Sequence, residues 1–556
     1  MKAGEVVFQK LLDGKLQYRV PLFQRTYSWK EIQWELLWEN ILEIYALEPR
    51  RSHFIGAIVT MPMPDSPELC AKFMLIDGQQ RFTTLLILLS VIRDAAKKDA
   101  KTATLAEEIY ENCLINKYVS SAEELEKLKP TQQDMIHFAN VIAGQSSDKN
   151  TQIGQAIRYF EKKLADGDSD LKGIDLRRLK DCVTQYLSIV SITLDQGDSP
   201  HRIFESLNNA GLRLSASDLV RNHIFMQIKS EKDQISAYEK NWLPMQNRLE
   251  PPENNSYLSD FFWRYLMRDG DQPRQDDVYE HMKTWIDKQQ NDKKTIIEVL
   301  EELNRYSCHY ANILMPDKFE PSKSVKRGMN RLNQWEVEVA YPFLLEVHEH
   351  RLMGIIDETI IVEILGMIES YVVRRIVCGI PTNRLRRIFG LMARNVDKRK
   401  YVESSRAYLQ SNEWPIDSIF KERFQSVRLY IPSRLARTRL ILSSLEDSFG
   451  HKEPVDTSQS TIEHIMPQTL NPEWEKHLGA NCFLVHEKYL HTIGNLTFTG
   501  YNSELGNMEF SKKKEIYNQS HYELNREIIK KDKWTEDEII ERAKDLATRA
   551  LSIWKR

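Results

Sequence analysis

Apolar positions along the chain follow different rhythms in different regions. In the first 230 residues they come as short runs: LQYRVPLF (16–23), HFIGAIVTM (53–61), FMLID (73–77) and LSIVSITLD (187–195). The last three are rich in β-branched and aromatic residues, and all four runs predict strands. From about 231 to 420 the spacing becomes three and four, as in IIEVLEELNRY (296–306), WEVEVAYPFLLEVHEHRL (335–352) and IVEILGMIESYVVRRIV (361–377). That periodicity predicts amphipathic helices. From 421 onward short mixed segments return, among them STIEHIMPQ, HTIGNLTFTGYN and EFSKKKEIY, before a charged terminal helix. The pattern predicts an α+β protein, predominantly helical, with an α/β region at 1–230, a helical connector at 231–420 and a third domain at 421–556. GHKEPVDTSQS (450–460) is the most linker-like stretch, and no internal repeat is visible.

One interruption of the pattern is unusual. In FMLIDGQQRFTTLLILLS (73–90) a strand-like run stops at Asp77-Gly78-Gln79-Gln80-Arg81 before a helix resumes from Thr83 to Ser90. Asp-Gly alone would supply the turn. The two amides and the guanidinium call for a ligand: Gly78 permits close approach, Gln79 and Gln80 can hydrogen-bond a phosphate or base, and Arg81 offers a bidentate fork. A helix N-terminus there would favour an anion, and Asp77 could hold a magnesium ion or orient a water. Thr83 and Thr84 serve equally as plain helix caps. No GxxxxGK[ST] occurs, so this is not a Walker loop. In VPLFQRTYSW (20–29), Gln24 and Arg25 stand among Phe23, Tyr27 and Trp29, a mixture suited to stacking beside phosphate or base contacts. FESLNNAGLRLSASDL (204–219) places Glu205 and Asn208 one helical turn apart, gives Gly211 a left-handed turn, and reads as a capping box at Ser215 and Asp218.

Composition adds little: 28% charged, 41% apolar and a net charge of −3 describe an ordinary globular chain. The distribution is more telling, because 371–440 holds 16 Lys and Arg against 5 Asp and Glu. Either a solvated helical face or a nucleic-acid surface would look like this; on the second reading Arg386 and Arg387 are phosphate contacts. The six cysteines are scattered without a CxxC pair, which predicts a reducing compartment and neither a disulfide framework nor a cysteine zinc site. With no apolar leader and no apolar run of about 18 residues, a cytoplasmic protein without a membrane span is expected.

The densest chemistry lies near the C-terminus. Glu463 and His464 adjoin in IEHIMP, Asn495 follows in IGNLTF, and then come Asn502 and FSKKK. This order resembles an HNH nuclease, a ββα element gripping one divalent cation. In that reading neutral His464 is the general base, Glu463 and Asn502 are hard oxygen ligands for Mg2+ or Mn2+, Asn495 holds the hairpin, and Lys512, Lys513 and Lys514 meet phosphates. Asn507 rivals Asn502 for the metal. His477, His486 and His491 lie between the two halves; any of them could touch the site, and a structural part is the first expectation for each.

EHIMPQ, HTIGNLTFTGYNSELGN and FSKKK together resemble the C-terminal HNH domain of GmrSD-type restriction endonucleases. VPLFQRTYSW, HFIGAIV, IDGQQRFTTL and FESLNNAGLRLSASDL follow that family's ParB-like N-terminal domain. The resemblance implies nucleotide hydrolysis (GTP or ATP) at the N-terminal blocks, sensing of modified DNA, and metal-dependent cleavage at the C-terminal ones. Asn stands where many HNH enzymes carry their last His. The expected function is a nucleotide-responsive endonuclease acting on modified foreign DNA, as a homodimer if both strands are cut. A nucleotide-gated DNA binder with an inactive HNH fold and an RNA-cutting toxin are the alternatives.

Overall fold

The computed structural model describes the chain except for 64–69, 167–173, 196–214, 251–256, 451–456, 501–504 and the single positions 1, 23, 49, 120, 458 and 459. It divides into two compact units: 1–244 with 283–300, and 245–282 with 301–556.

The first unit is built on a mixed six-stranded sheet in the order β1-β6-β3-β4-β2-β5. The strands are β1 (Lys2–Val7), β2 (Leu16–Arg19), β3 (His53–Pro62), β4 (Ala71–Asp77), β5 (Leu128–Lys129) and β6 (Leu187–Thr193). All four expected runs contain strands, although the first, 16–23, is a strand only over Leu16–Arg19. The two that the pattern did not predict are β1, whose KAGEVV is mostly exposed, and β5, which has two residues and no room for alternation. β4 pairs antiparallel with β3 and parallel with β2. One face of the sheet carries the main core, and the smaller cluster of Val59, Ile76 and Leu194 packs with Leu219 and Met226.

β4 ends at Asp77 and Gly78 adopts φ 89°, the left-handed conformation that glycine takes without cost. A Cβ here would lie 2.7 Å from Ile58 Cγ1 and 3.0 Å from the Ala57 carbonyl, so close packing also demands glycine. The helix then starts at Gln79 and runs to Ala96, buried along nearly its whole length. The expectation of a helix beginning at Thr83 is thereby corrected: Gln79, Gln80 and Arg81 form its first turn.

The second unit is mostly helical. Its small sheet pairs β7 (Thr461–His464) antiparallel with β8 (Leu496–Thr499), with Glu463 opposite Thr497 and His464 opposite Leu496. The helix Phe510–Tyr517 follows β8, and the terminal helix Glu536–Ile553 opens with a Thr535–Glu538 capping box. Within the basic stretch, Arg374 and Arg375 are fully buried: Arg374 donates to the Trp554 and Pro415 carbonyls, and Arg375 to those of Asn412 and Pro381. Arg386 and Arg387 are exposed on the helix Leu385–Asn395.

Candidate functional site

At the carboxyl end of β4 the polar residues divide by task. Gln24 is buried and its Nε2 donates to the carbonyls of Leu75 and Ile76, at 2.9 and 2.7 Å. Gln80, also buried, accepts from the Ser28 amide at 2.8 Å and donates to the Thr26 carbonyl at 3.1 Å. Gln79 donates to the Arg25 carbonyl at 3.1 Å. These three amides stitch segment 24–28 onto the strand end and the helix start, where they had been expected to bind a nucleotide. Buried backbone carbonyls need partners, and the glutamines supply them. Below them Tyr27 Oη meets Thr84 Oγ1 at 2.7 Å and accepts from Trp34 Nε1 at 2.7 Å, which fixes the loop to the core.

What remains for chemistry is charge. Asp77, Arg81 and Arg25 are half-buried around this turn. Burial pushes the Asp77 carboxyl up, opposed by the Gly78 amide and by Arg81 and Arg25. Arg81 also donates to the Ala57 carbonyl at 2.5 Å. Two residues not singled out as ligands join the cluster electrostatically: Asp218 and Arg221 both act on Arg25, and Arg221 pairs with Asp218 at 2.6 Å. The Ser215–Asp218 capping box forms as expected and places both on the first turns of the helix Ala216–Phe225. Glu205, Asn208 and Gly211 lie outside the described residues.

In the second unit His464 sits at the end of β7, 4% exposed. Its Nε2 lies 3.1 Å from His491 Nδ1. Tyr430 stacks on His491 and meets His464 edge-on, with centroids 5.5 and 4.5 Å apart. One ring nitrogen of His464 is therefore engaged, and no hydrogen bond from a described residue reaches Nδ1. Burial, helped by His491, Lys513 and His486, pushes the His464 pKa down to about 3, so the ring is neutral at physiological pH. Asn495 is fully buried: its Oδ1 accepts from the Met466 amide at 2.7 Å and Trp534 Nε1 at 3.2 Å, and its Nδ2 donates to the Met466 and Leu490 carbonyls at 3.0 Å each. With every site on its amide in use, Asn495 is a clamp that aligns the turn after β7 with the start of β8 and touches no reacting group. Arg542, from the terminal helix, reinforces the turn by donating to the carbonyls of Ile493, Gly494 and Leu496. A Cβ on Gly494 would come 2.3 Å from the Ile539 carbonyl, so glycine is required where that helix presses on the motif.

The lysine run splits three ways. Lys513 is fully buried; its Nζ meets Glu463 Oε1 at 2.6 Å and the His464 carbonyl at 2.9 Å. It cannot meet a phosphate there, and Glu463 is its counter-ion. Burial pushes the Glu463 carboxyl up and the Lys513 ammonium down, each partly offset by the other. The signal was available in sequence, because Phe510, Lys513 and Tyr517 share the i, i+3, i+7 face that is buried. Lys514 donates to the Lys531 carbonyl at 2.5 Å, whereas Lys512 is exposed beside Glu509 at 3.4 Å. His477 accepts from the Trp534 amide and His486 bonds the Pro467 carbonyl, the structural parts expected of them; His491, by contrast, joins the site. Asn502 lies outside the described residues. Among the described residues no three His, Cys, Asp or Glu side chains converge to hold a metal ion, and Glu463 has one oxygen on Lys513. By themselves these residues do not make up a cation site.

The His464 ring is thus buried and neutral, with Nε2 oriented by His491, beside a hairpin clamped by Asn495. Residues 8–225 match the GmrSD restriction endonuclease N-terminal domain and residues 414–549 match the GmrSD restriction endonuclease C-terminal domain. The chain belongs to the GmrSD restriction endonuclease family, which makes it a DNA endonuclease of restriction. No curated protein matches the chain. No helix among the described residues is long and apolar enough to cross a membrane.

Proposed function

We propose that this chain is a nucleotide-responsive, divalent-cation-dependent nuclease that cuts modified foreign DNA, with His464 as the general base. The observation that carries the reading is the divided engagement of the His464 ring. His491 holds Nε2, and Nδ1 is left to take a proton from an attacking water. Mg2+ or Mn2+ would neutralise charge on the scissile phosphate when bound. The Asp77, Arg81 and Arg25 cluster at the N-terminus of the helix Gln79–Ala96 supports a nucleotide site, GTP or ATP. There the helix end and the two guanidiniums face the phosphates, and Asp77 orients a water. Arg386, Arg387 and Lys512, all exposed, are the phosphate contacts of this reading. Cutting both strands of a duplex calls for two copies, and a cytoplasmic setting is where foreign DNA would be met.

The test is a cleavage assay with magnesium or manganese, with and without nucleotide, comparing unmodified plasmid with DNA carrying glucosylated hydroxymethylcytosine or phosphorothioate. Cleavage confined to a modified DNA, dependent on nucleotide and abolished by chelation, is the expected result. Binding without cleavage under every metal, or preference for RNA over duplex DNA, overturns it.

A further inference from the structure

The first unit carries a second cleft, at the end of the sheet opposite Asp77. β2 runs parallel to β4 with Leu16 beside Ala71, so the start of β2 lies away from the end of β4. A cavity of about 740 Å3 opens there, with Leu12, Cys113 and Ile115 among its apolar lining and Lys15, Lys117 and Lys127 among its charged groups. That volume is in the range of small-molecule sites.

The cations of this cleft are unevenly compensated. Lys117 Nζ is 2.6 Å from Glu111, and Lys180 Nζ is 2.8 Å from Glu108. Asp13 pairs with Lys10 at 3.2 Å. Lys127 has no carboxylate within ion-pair distance among the described residues. Only 3% exposed, it donates to two neutral acceptors, the Gly14 carbonyl at 2.8 Å and Asn116 Oδ1 at 3.0 Å. An ammonium has three protons, so one donor remains. Lys15, half-buried in the same lining, donates to the Tyr118 carbonyl at 2.9 Å and likewise has no carboxylate within ion-pair distance among the described residues. The neighbouring Cys113 thiol, pushed up to about 11 by burial, carries no charge to balance them. Asp13, also in the lining, acts on Lys127 through space without pairing with it, and burial pushes the Lys127 ammonium down. A buried cation with no directly paired counter-ion is costly, and lysine is a point-charge binder of phosphate.

We propose that this cleft binds a small phosphorylated molecule, its phosphoryl group held by Lys127 and Lys15 and its less polar body lying against Leu12 and Ile115. The site is separate from the Asp77–Arg81 cluster and does not depend on the nuclease reading.

Calorimetric titration of the full chain with inorganic phosphate and with AMP, at ionic strength matched by chloride, tests it. Saturable binding is expected, tighter for AMP, weakened at least tenfold by Lys127→Met and by Lys15→Met, and retained in Arg81→Ala. Equal affinity for the two probes narrows the ligand to the phosphoryl group itself and still supports the site. Should Lys127→Met fail to fold, Lys15→Met, at a half-buried position, decides the question. No saturable binding of either probe overturns the proposal. So does binding that survives both lysine changes when Arg81→Ala is also present, or binding that is lost in Arg81→Ala alone.

Discussion

The turn after β4 and the turn after β7 use polar residues in opposite ways. At the first, three glutamine amides bind backbone carbonyls and amides, leaving the charged side chains Asp77, Arg81 and Arg25 around the turn. At the second, the charged pair Glu463–Lys513 is buried as scaffold, and a neutral imidazole is left to act. On the proposed reading the first site attracts an anion and the second takes up a proton. In both, most of the polar residues that mark the motif hold the turn together. A group that faces a phosphate and one that faces a buried carbonyl are the same letter in a sequence.

That contrast can be broken experimentally. The largest effect is expected from Lys513→Met, which strands the Glu463 carboxylate in the core. Urea unfolding of the second unit should show a loss of about 3–5 kcal/mol, partly restored by adding Glu463→Gln. A loss below about 1 kcal/mol would mean that the pair is solvated and free to meet ligands. At the first turn, Gln24→Ala leaves two carbonyls without their donor and should cost about 1–3 kcal/mol. Arg25→Ala should change stability by less than about 0.5 kcal/mol while weakening nucleotide binding. If the two substitutions exchange these effects, the division between amides and charges is wrong.

Acid should act on the second unit. Burial lowers His348 to about 3 and His350 to about 4, from an ordinary value near 6.5. Below about pH 6.5 the unfolded chain takes up protons that these folded imidazoles refuse, so stability is present above that pH and is lost as pH falls toward 4. Each contributes about 1.4 kcal/mol per pH unit in that window. A denaturation midpoint of the second unit that stays flat from pH 6.5 to 4 would contradict the burial of these rings. The smallest effect on folding is expected from Arg386→Ser with Arg387→Ser, both exposed. Stability should hold within about 0.5 kcal/mol, while the salt dependence of DNA binding falls by about one unit of slope per arginine. An unchanged slope would leave the pair as a solvated face.

Much of this was legible in the chain because burial leaves a rhythm. The β-branched runs became β3, β4 and β6, and the break at Asp77-Gly78 became a strand-to-helix turn with glycine left-handed. The buried face of the helix Phe510–Tyr517 was also written there, and reading KKK as a phosphate contact overlooked it. Other features leave no local trace. His491 reaches His464 across 27 residues and Tyr430 reaches it from upstream, contacts that exist only once the second unit has packed. β5 is legible only through its pairing with β2.

The most direct measurement is a pair of assays, DNA cleavage and nucleotide hydrolysis, on the wild type and on His464→Ala. Cleavage should fall by about 10²- to 10⁴-fold while nucleotide hydrolysis is unchanged, since His464 belongs to the second unit and Asp77 to the first. Cleavage by His464→Ala at the wild-type rate would contradict the account and remove His464 as the base.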